Sequence, residues 1–129
     1  MELKRIDFID VLALRLREAG LTDAKVARLA DVSNGGVAVR RMPSTTTAEG
    51  YDGSRFISLV CQVVVARESE LQAIEECQAV ANMARGLDLR SLNGSYRLTS
   101  AQVYTEPQEL SQGAVTIWEC RIIATITTN

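Results

Sequence analysis

The stretch VTIWECRIIATITTN, residues 115–129, decides the fold because its side chains alternate with the period of an extended strand. One side of this stretch is entirely apolar and carries Trp118, Cys120, Ile122, Ala124 and Ile126. The other side mixes apolar residues with the charged pair Glu119 and Arg121. We therefore predict a long strand with one buried face and one partly exposed face that could form an interface.

Three further segments predict strands. They span residues 37–41, 56–66 and 96–104, and each combines β-branched or aromatic residues with alternation. The turn sequence Asn34-Gly35-Gly36 precedes the first of them. Pro107 is expected to end the third, because proline cannot donate a hydrogen bond to a neighbouring strand.

Two main helices are predicted from apolar periodicity and end signals. The first covers roughly residues 7–19, with Asp7 as its N-cap and Gly20 as its stop. The second begins after Ser69, which forms a capping-box pattern with Gln72, and it stops at Gly86. Its apolar stripe is predicted to contain Leu71, Ile74, Cys77, Ala81 and Ala84. A short additional helix fits residues 22–30.

These elements predict one α+β domain over residues 1–129. Two main helices would pack on one face of a mixed, mainly antiparallel four-stranded sheet, in the order α, short α, β, β, α, β, β. The polar segment at about 42–55 is predicted to be a long loop between two strands or the tip of a hairpin.

The composition argues against several classes of function. The 129 residues contain no histidine, which removes a Ser-His-Asp triad and histidine metal ligands. Cys61, Cys77 and Cys120 are widely spaced and are predicted to be buried, reduced and apolar in character. No apolar run reaches the roughly 18 residues of a membrane span. We therefore predict a protein that is not an enzyme, with no catalytic residues, no cofactor, no metal and no membrane partner.

Residues 24–41 support an alternative of a different class. VARLADVS, residues 26–33, followed by Val37 and Arg40-Arg41, resembles the helix-turn-helix of phage repressors and would make the chain a DNA-binding regulator. Gly35 and Gly36 count against it, because each glycine inside a recognition helix costs about 1 kcal/mol relative to alanine. The net charge of −2 also lowers the expectation of a basic DNA-binding patch.

The complete layout resembles the tail terminator proteins of long-tailed bacteriophages, a group of minor capsid or minor tail proteins. The resemblance lies in the order of the elements and in the segments VAVRRMPS (37–44), RFISLVCQVVVA (55–66), ESELQAIEECQAVANMARGL (68–87), YRLTSAQVYTEPQEL (96–110) and VTIWECRIIATI (115–126). The region 21–33 departs most from it.

This resemblance implies a non-catalytic virion protein, assembled in the cytoplasm of a bacterial host. Tail terminators form a homo-oligomeric, hexameric ring at the head-proximal end of the tail. The ring binds the tail-tube protein, stops its polymerisation and offers a surface to head–tail connector proteins. The only nucleic acid involved would be phage DNA passing through the ring lumen. Another head–tail connector or head-completion protein is the neighbouring alternative.

The candidate interface with other subunits or with the tube lies around the polar segment and on the last strand. Its charged and aromatic residues are Arg40, Arg41, Glu49, Tyr51, Asp52, Arg55, Glu119 and Arg121. A segment between residues 40 and 55 that projects from the domain would face the ring lumen or the tube.

Overall fold

The computed structural model describes residues 5–128, with the backbone alone at Thr47 and Ala48. Residues 1–4 and Asn129, which the predicted domain and last strand include, lie outside the described residues. The elements in chain order are α1 (Phe8–Glu18), β1 (Ala24–Val26), a 3-10 helix (Leu29–Val32), β2 (Gly36–Arg41), β3 (Thr45–Glu49), β4 (Arg55–Arg67), α2 (Glu70–Met83), β5 (Arg97–Ser111) and β6 (Thr116–Thr128).

The described residues form one mixed sheet of six strands. Its main path is β1-β2-β4-β6-β5, and β3 pairs with β4. β6 follows β4 along its whole length, so β2 and β3 share the other edge of β4. β1 and β2 are parallel, whereas every other pair is antiparallel. β5 forms one edge of the sheet.

The prediction of a four-stranded sheet is wrong, because β1 and β3 are additional strands. β1 lies where the short helix over 22–30 was predicted, and three residues are too few to show alternation. β3 lies inside the segment predicted as a long loop. Its β-branched threonines favour a strand, but their polarity resembles that of a loop. Only residues 42–44 and 50–54 of that segment lie outside the strands.

The segment predicted as a helix-turn-helix has a different structure. Residues 24–41 form β1, one short 3-10 helix and β2, with no α-helix among them. Gly35 and Gly36 have φ angles of 123° and 127°, which a helix cannot contain. The segment therefore offers no recognition helix, and the prediction of a helix-turn-helix regulator is wrong.

Both α-helices pack on the same face of the sheet and form the main core with it. Phe8, Leu12 and Leu16 of α1 are fully buried there, together with the apolar faces of β4 and β6. The hydroxyl of Ser69 accepts a hydrogen bond from the Gln72 amide at 3.2 Å, which is the N-cap half of the predicted capping box. The side chain of Gln72 donates to Glu76 instead.

The predicted core stripe of α2 is wrong at its start, where Leu71 is 65% exposed. Cys77, Ala81 and, just past the helix end, Ala84 are buried as predicted, whereas Ile74 is only half-buried. Ala73 and Val80 complete the buried stripe, which consists of small residues. Ala73 and Leu71 are two residues apart, which places them roughly 200° apart around a helix. Once Ala73 faces the sheet, Leu71 must therefore face solvent.

Strand β5 continues beyond Pro107 to Ser111, so the prediction that this proline ends the strand is wrong. The pairing with β6 shifts register between Thr105 and Gln108, on either side of the proline. An edge strand tolerates proline because only one of its sides bonds to a neighbour.

Among residues 5–128, the second face of the sheet is covered at one end. There Val32 of the 3-10 helix packs with Ala38, Val64, Ala66 and Val115 in a small second cluster. We refer to the rest of this face, opposite α1 and α2, as the open face. Within residues 5–128, no helix is long and apolar enough to cross a membrane.

Candidate interaction surfaces

The β3–β4 hairpin ends in a compact turn over residues 50–54, which we call the hairpin tip. The Gly50 amide donates to the Ser54 carbonyl at 2.8 Å, and the Gly53 amide donates to the Gly50 carbonyl at 3.2 Å. Gly53 has a φ of 86°, a left-handed conformation that glycine adopts without strain. The tip is therefore a defined turn rather than the centre of a long loop.

Asp52 closes the turn from within. Its Oδ1 atom accepts hydrogen bonds from the Ser54 amide at 3.0 Å and from the Ser54 hydroxyl at 2.7 Å. These bonds lower the pKa of Asp52, so the carboxylate stays ionised at neutral pH.

Four predicted interface residues lie at this end of the hairpin. Tyr51 has a relative exposure of 114%, so its ring packs against none of the side chains that the structure describes. Glu49 and Arg55 are exposed cross-strand partners at the base of the tip, with Asp52 above them. Aromatic side chains are enriched at contact surfaces between proteins, so the exposed ring of Tyr51 makes the hairpin tip a candidate for such a contact.

A polar network crosses the open face on four strands. Its centre is the Glu119 carboxylate, which is only 1% exposed. Glu119 Oε1 accepts from Gln62 Nε2 at 2.7 Å and from Arg121 Nε at 3.0 Å. Glu119 Oε2 accepts from Gln108 Nε2 at 2.7 Å, and Arg40 Nε donates to Gln62 Oε1 at 2.7 Å.

The hydrogen bonds of this network decide the charge state of Glu119. Burial alone would raise its pKa, but the donors on Gln62, Arg121 and Gln108 stabilise the carboxylate more strongly. The net result is a lowered pKa for Glu119. The open face therefore carries a fixed, ionised centre at neutral pH, with the guanidinium groups of Arg40 and Arg121 around it.

The structure separates the neighbouring residues Arg40 and Arg41. Successive residues of a strand point to opposite faces, and Arg40 joins the network on the open face. Arg41 instead lines a shallow cavity of about 100 Å³ on the helix side, with Phe8, Ile9 and Leu59. Of the eight predicted residues, three share the network and four share the hairpin end, whereas Arg41 lies apart from both groups.

Two members of the network, Gln62 and Gln108, were not among the predicted interface residues. Gln62 did leave a signal, because it is the single amide in the apolar run VCQVVVA. Such a buried amide needs partners. Gln108 left no such signal, because Pro107 was predicted to end the strand before it.

The cysteines form no part of either surface. All three are buried free thiols that form no disulfide. Burial raises the pKa of Cys61 to about 12. Two causes raise the pKa of Cys120: a hydrogen bond with Cys77, which is the larger cause, and burial. Within residues 5–128, no three His, Cys, Asp or Glu side chains are grouped so as to hold a metal ion.

Comparison with known proteins gives a similarity of fold. The sequence matches no protein-family model and no curated protein. The structure is similar to a chain in a solved structure described as the virion of a native gene transfer agent (GTA) particle. The TM-score is 0.53 and the identity is 18%, over 87% of this chain and 84% of that chain. At this identity the likeness establishes the fold alone.

Proposed function

We propose that this chain is a structural protein of a phage-like virion. The observation that carries the proposal is the likeness of its fold to a chain of a gene transfer agent virion, over most of both chains. The independent resemblance of the sequence to virion proteins of long-tailed phages points the same way. A fold can host unrelated functions, so the proposal rests on the agreement of the two.

Within the virion, we propose the role of a tail terminator without catalytic activity. Copies of the chain form a ring at the head-proximal end of the tail. The resemblance to tail terminators implies that this ring contains six copies. The ring caps the tail-tube protein, stops its polymerisation and receives head–tail connector proteins. Phage DNA passes through its lumen.

The two separate surfaces of the chain support a ring. A ring forms when one surface of each subunit binds a different surface of the next and the rotation closes. The hairpin tip and the open face are two such surfaces with different shapes and chemistry. A simple two-fold dimer would instead require a single self-complementary surface.

Native mass spectrometry over a range of concentrations, followed by electron microscopy with purified tail tubes, tests this function. We expect a species of six times the 14.1 kDa protomer. We also expect one ring at one end of each tube, and shorter tubes when the protein is present during polymerisation. Binding to connector rings but not to tubes would assign the chain to a connector or head-completion role. A chain that remains monomeric and binds neither would overturn the proposal.

A further inference from the structure

We propose that the hairpin tip of one copy docks on the open face of the next copy. Tyr51 would pack on an apolar row formed by Val60 and Ile123. The acidic side chains of the hairpin end, Glu49 and Asp52, would face Arg40 and Arg121. This contact deepens the proposed function and rests on it, since the partner is a second copy of the same chain in a ring.

The hairpin tip, which is the docking part of this contact, is exposed and has a defined conformation. Tyr51 is fully exposed, while the turn that carries it is closed by the Gly50–Ser54 backbone bond and by the bonds of Asp52. A side chain on an already ordered turn loses less entropy on binding than one on a mobile loop. A rigid tyrosine is also among the side chains that most often dominate binding energy.

The open face, on which the tip would dock, presents an apolar row of side chains beside a basic row. Val60 and Ile123 are cross-strand partners on the open face, and both are half-buried. Two residues further along, Arg40, Gln62 and Arg121 form the neighbouring row across three strands. Rows two residues apart in a strand are about 7 Å apart. An aromatic ring and an adjacent carboxylate, as in Tyr51-Asp52, match that spacing.

The charges of the two surfaces are complementary. Glu49, Asp52 and Arg55 give the hairpin end a net charge of −1, whereas Arg40, Arg121 and Glu119 give the network a net charge of +1. A guanidinium has five N–H donors, so Arg40 and Arg121 can each bind a partner carboxylate while keeping the Nε bond of the network. The docked carboxylates would also balance the excess positive charge on the open face.

The contact must join different copies of the chain. The tip extends beyond Arg55 at the start of β4, and Val60 lies five residues further along that strand, about 17 Å away. In the proposed ring, each copy offers its tip to one neighbour and its open face to another. Such a heterologous contact closes into a ring when the rotation between copies is a simple fraction of a turn.

Truncation and charge reversal test the contact by native mass spectrometry of the full chain. We expect Tyr51→Ala to raise the concentration at half-assembly by about tenfold or more. Glu49→Lys and Arg40→Glu should each weaken assembly as well, because each places like charges across the contact. Asp52 is left unchanged in these variants, since it holds the turn together.

A mixing experiment separates this contact from a general effect of charge. Equal amounts of the Glu49→Lys and Arg40→Glu chains should assemble together better than either assembles alone. In an alternating ring, every contact is then either the native pair or the reversed pair. The two chains differ in mass, so native mass spectrometry can measure whether the ring contains equal numbers of each.

Matched controls are Glu75→Lys and Arg85→Glu, which change exposed charges away from both surfaces. They should assemble as the unaltered chain does, and circular dichroism should show all variants folded. If the unaltered chain forms rings but the three surface variants assemble equally well, the docking contact is overturned and the ring is not. If the unaltered chain is monomeric at every concentration and forms no ring on tail tubes, the ring itself is overturned, and this contact with it.

Discussion

Asp7 illustrates at the scale of one residue how tertiary contacts replace a local role. The sequence predicts an N-cap, and the residue does precede α1, but its side chain makes no cap hydrogen bond. Asp7 Oδ2 instead accepts from the backbone amides of Leu92 and Asn93 at 3.0 and 3.1 Å. Its Oδ1 accepts from the hydroxyls of Ser91 and Ser95 at 2.7 and 3.1 Å. The carboxylate therefore ties the start of α1 to the segment before β5.

Replacing Asp7 by asparagine should destabilise the fold by about 2–3 kcal/mol, because an amide group would face donors that now bind a charged acceptor. Urea unfolding of the full chain measures the change. The control is Asp10→Asn, which removes an exposed ion pair with Arg5 and should cost less than about 1 kcal/mol. Equal losses for the two variants would contradict the anchoring role of Asp7.

Glu119 should make stability depend on pH. Its folded pKa lies below the ordinary value of 4.5, so the ionised form is favoured by folding. Its contribution is complete above pH 4.5 and is lost as the pH falls through the folded pKa. Urea midpoints of the unaltered chain and of Glu119→Gln should therefore differ at neutral pH and converge in strong acid. Glu75→Gln, on the exposed side of α2, is the control and should differ little at any pH.

At the scale of elements, α2 is held close to the sheet by its small residues. Ala73 and Cys77 are fully buried, and Cys77 packs in the main core with the larger side chains of the strands. Ala73→Leu should overpack this contact and lower the free energy of unfolding by about 1–3 kcal/mol. Ala79→Leu adds the same bulk on the exposed side of the same helix and should have little effect. Thermal and urea unfolding of both variants distinguish close packing from a general effect of leucine.

Strand β5 shows how an exposed edge avoids uncontrolled pairing. Register shifts interrupt its pairing with β6 at four places, and Pro107 lies between two charged residues, Glu106 and Glu109. Bulges, proline and charge are the means by which natural edge strands resist adding another strand. The subunit contact proposed above accordingly uses a face and a turn rather than this edge.

At the scale of the whole molecule, the proposed contact combines charged and apolar parts that salt affects differently. The Debye length falls from about 10 Å at 0.1 M salt to about 3 Å at 1 M. We expect the concentration at half-assembly to rise severalfold over this range, while Tyr51→Ala weakens assembly at every salt concentration. Mass photometry can follow both. Assembly that strengthens steadily with salt would indicate a contact without the charge pairs.

Local sequence was sufficient for the elements whose signals lie within one continuous segment. Alternation located β2, β4 and β6, and the Ser69 cap located the start of α2. The same alternation identified Glu119 and Arg121 on the face away from the core. These features follow from periodicity and capping, which depend only on neighbouring residues along the chain.

Only the tertiary structure decided the features that depend on distant partners. β1 exists because it pairs with β2, β3 because it pairs with β4, and β5 continues past Pro107 because it lies at an edge. The meeting of Gln62, Gln108 and Glu119 likewise depends on strand order. The energy of strand pairing comes from residues far apart in the chain, so no local pattern predicts it. Only the folded sheet brings those residues together and shows their burial and hydrogen bonds.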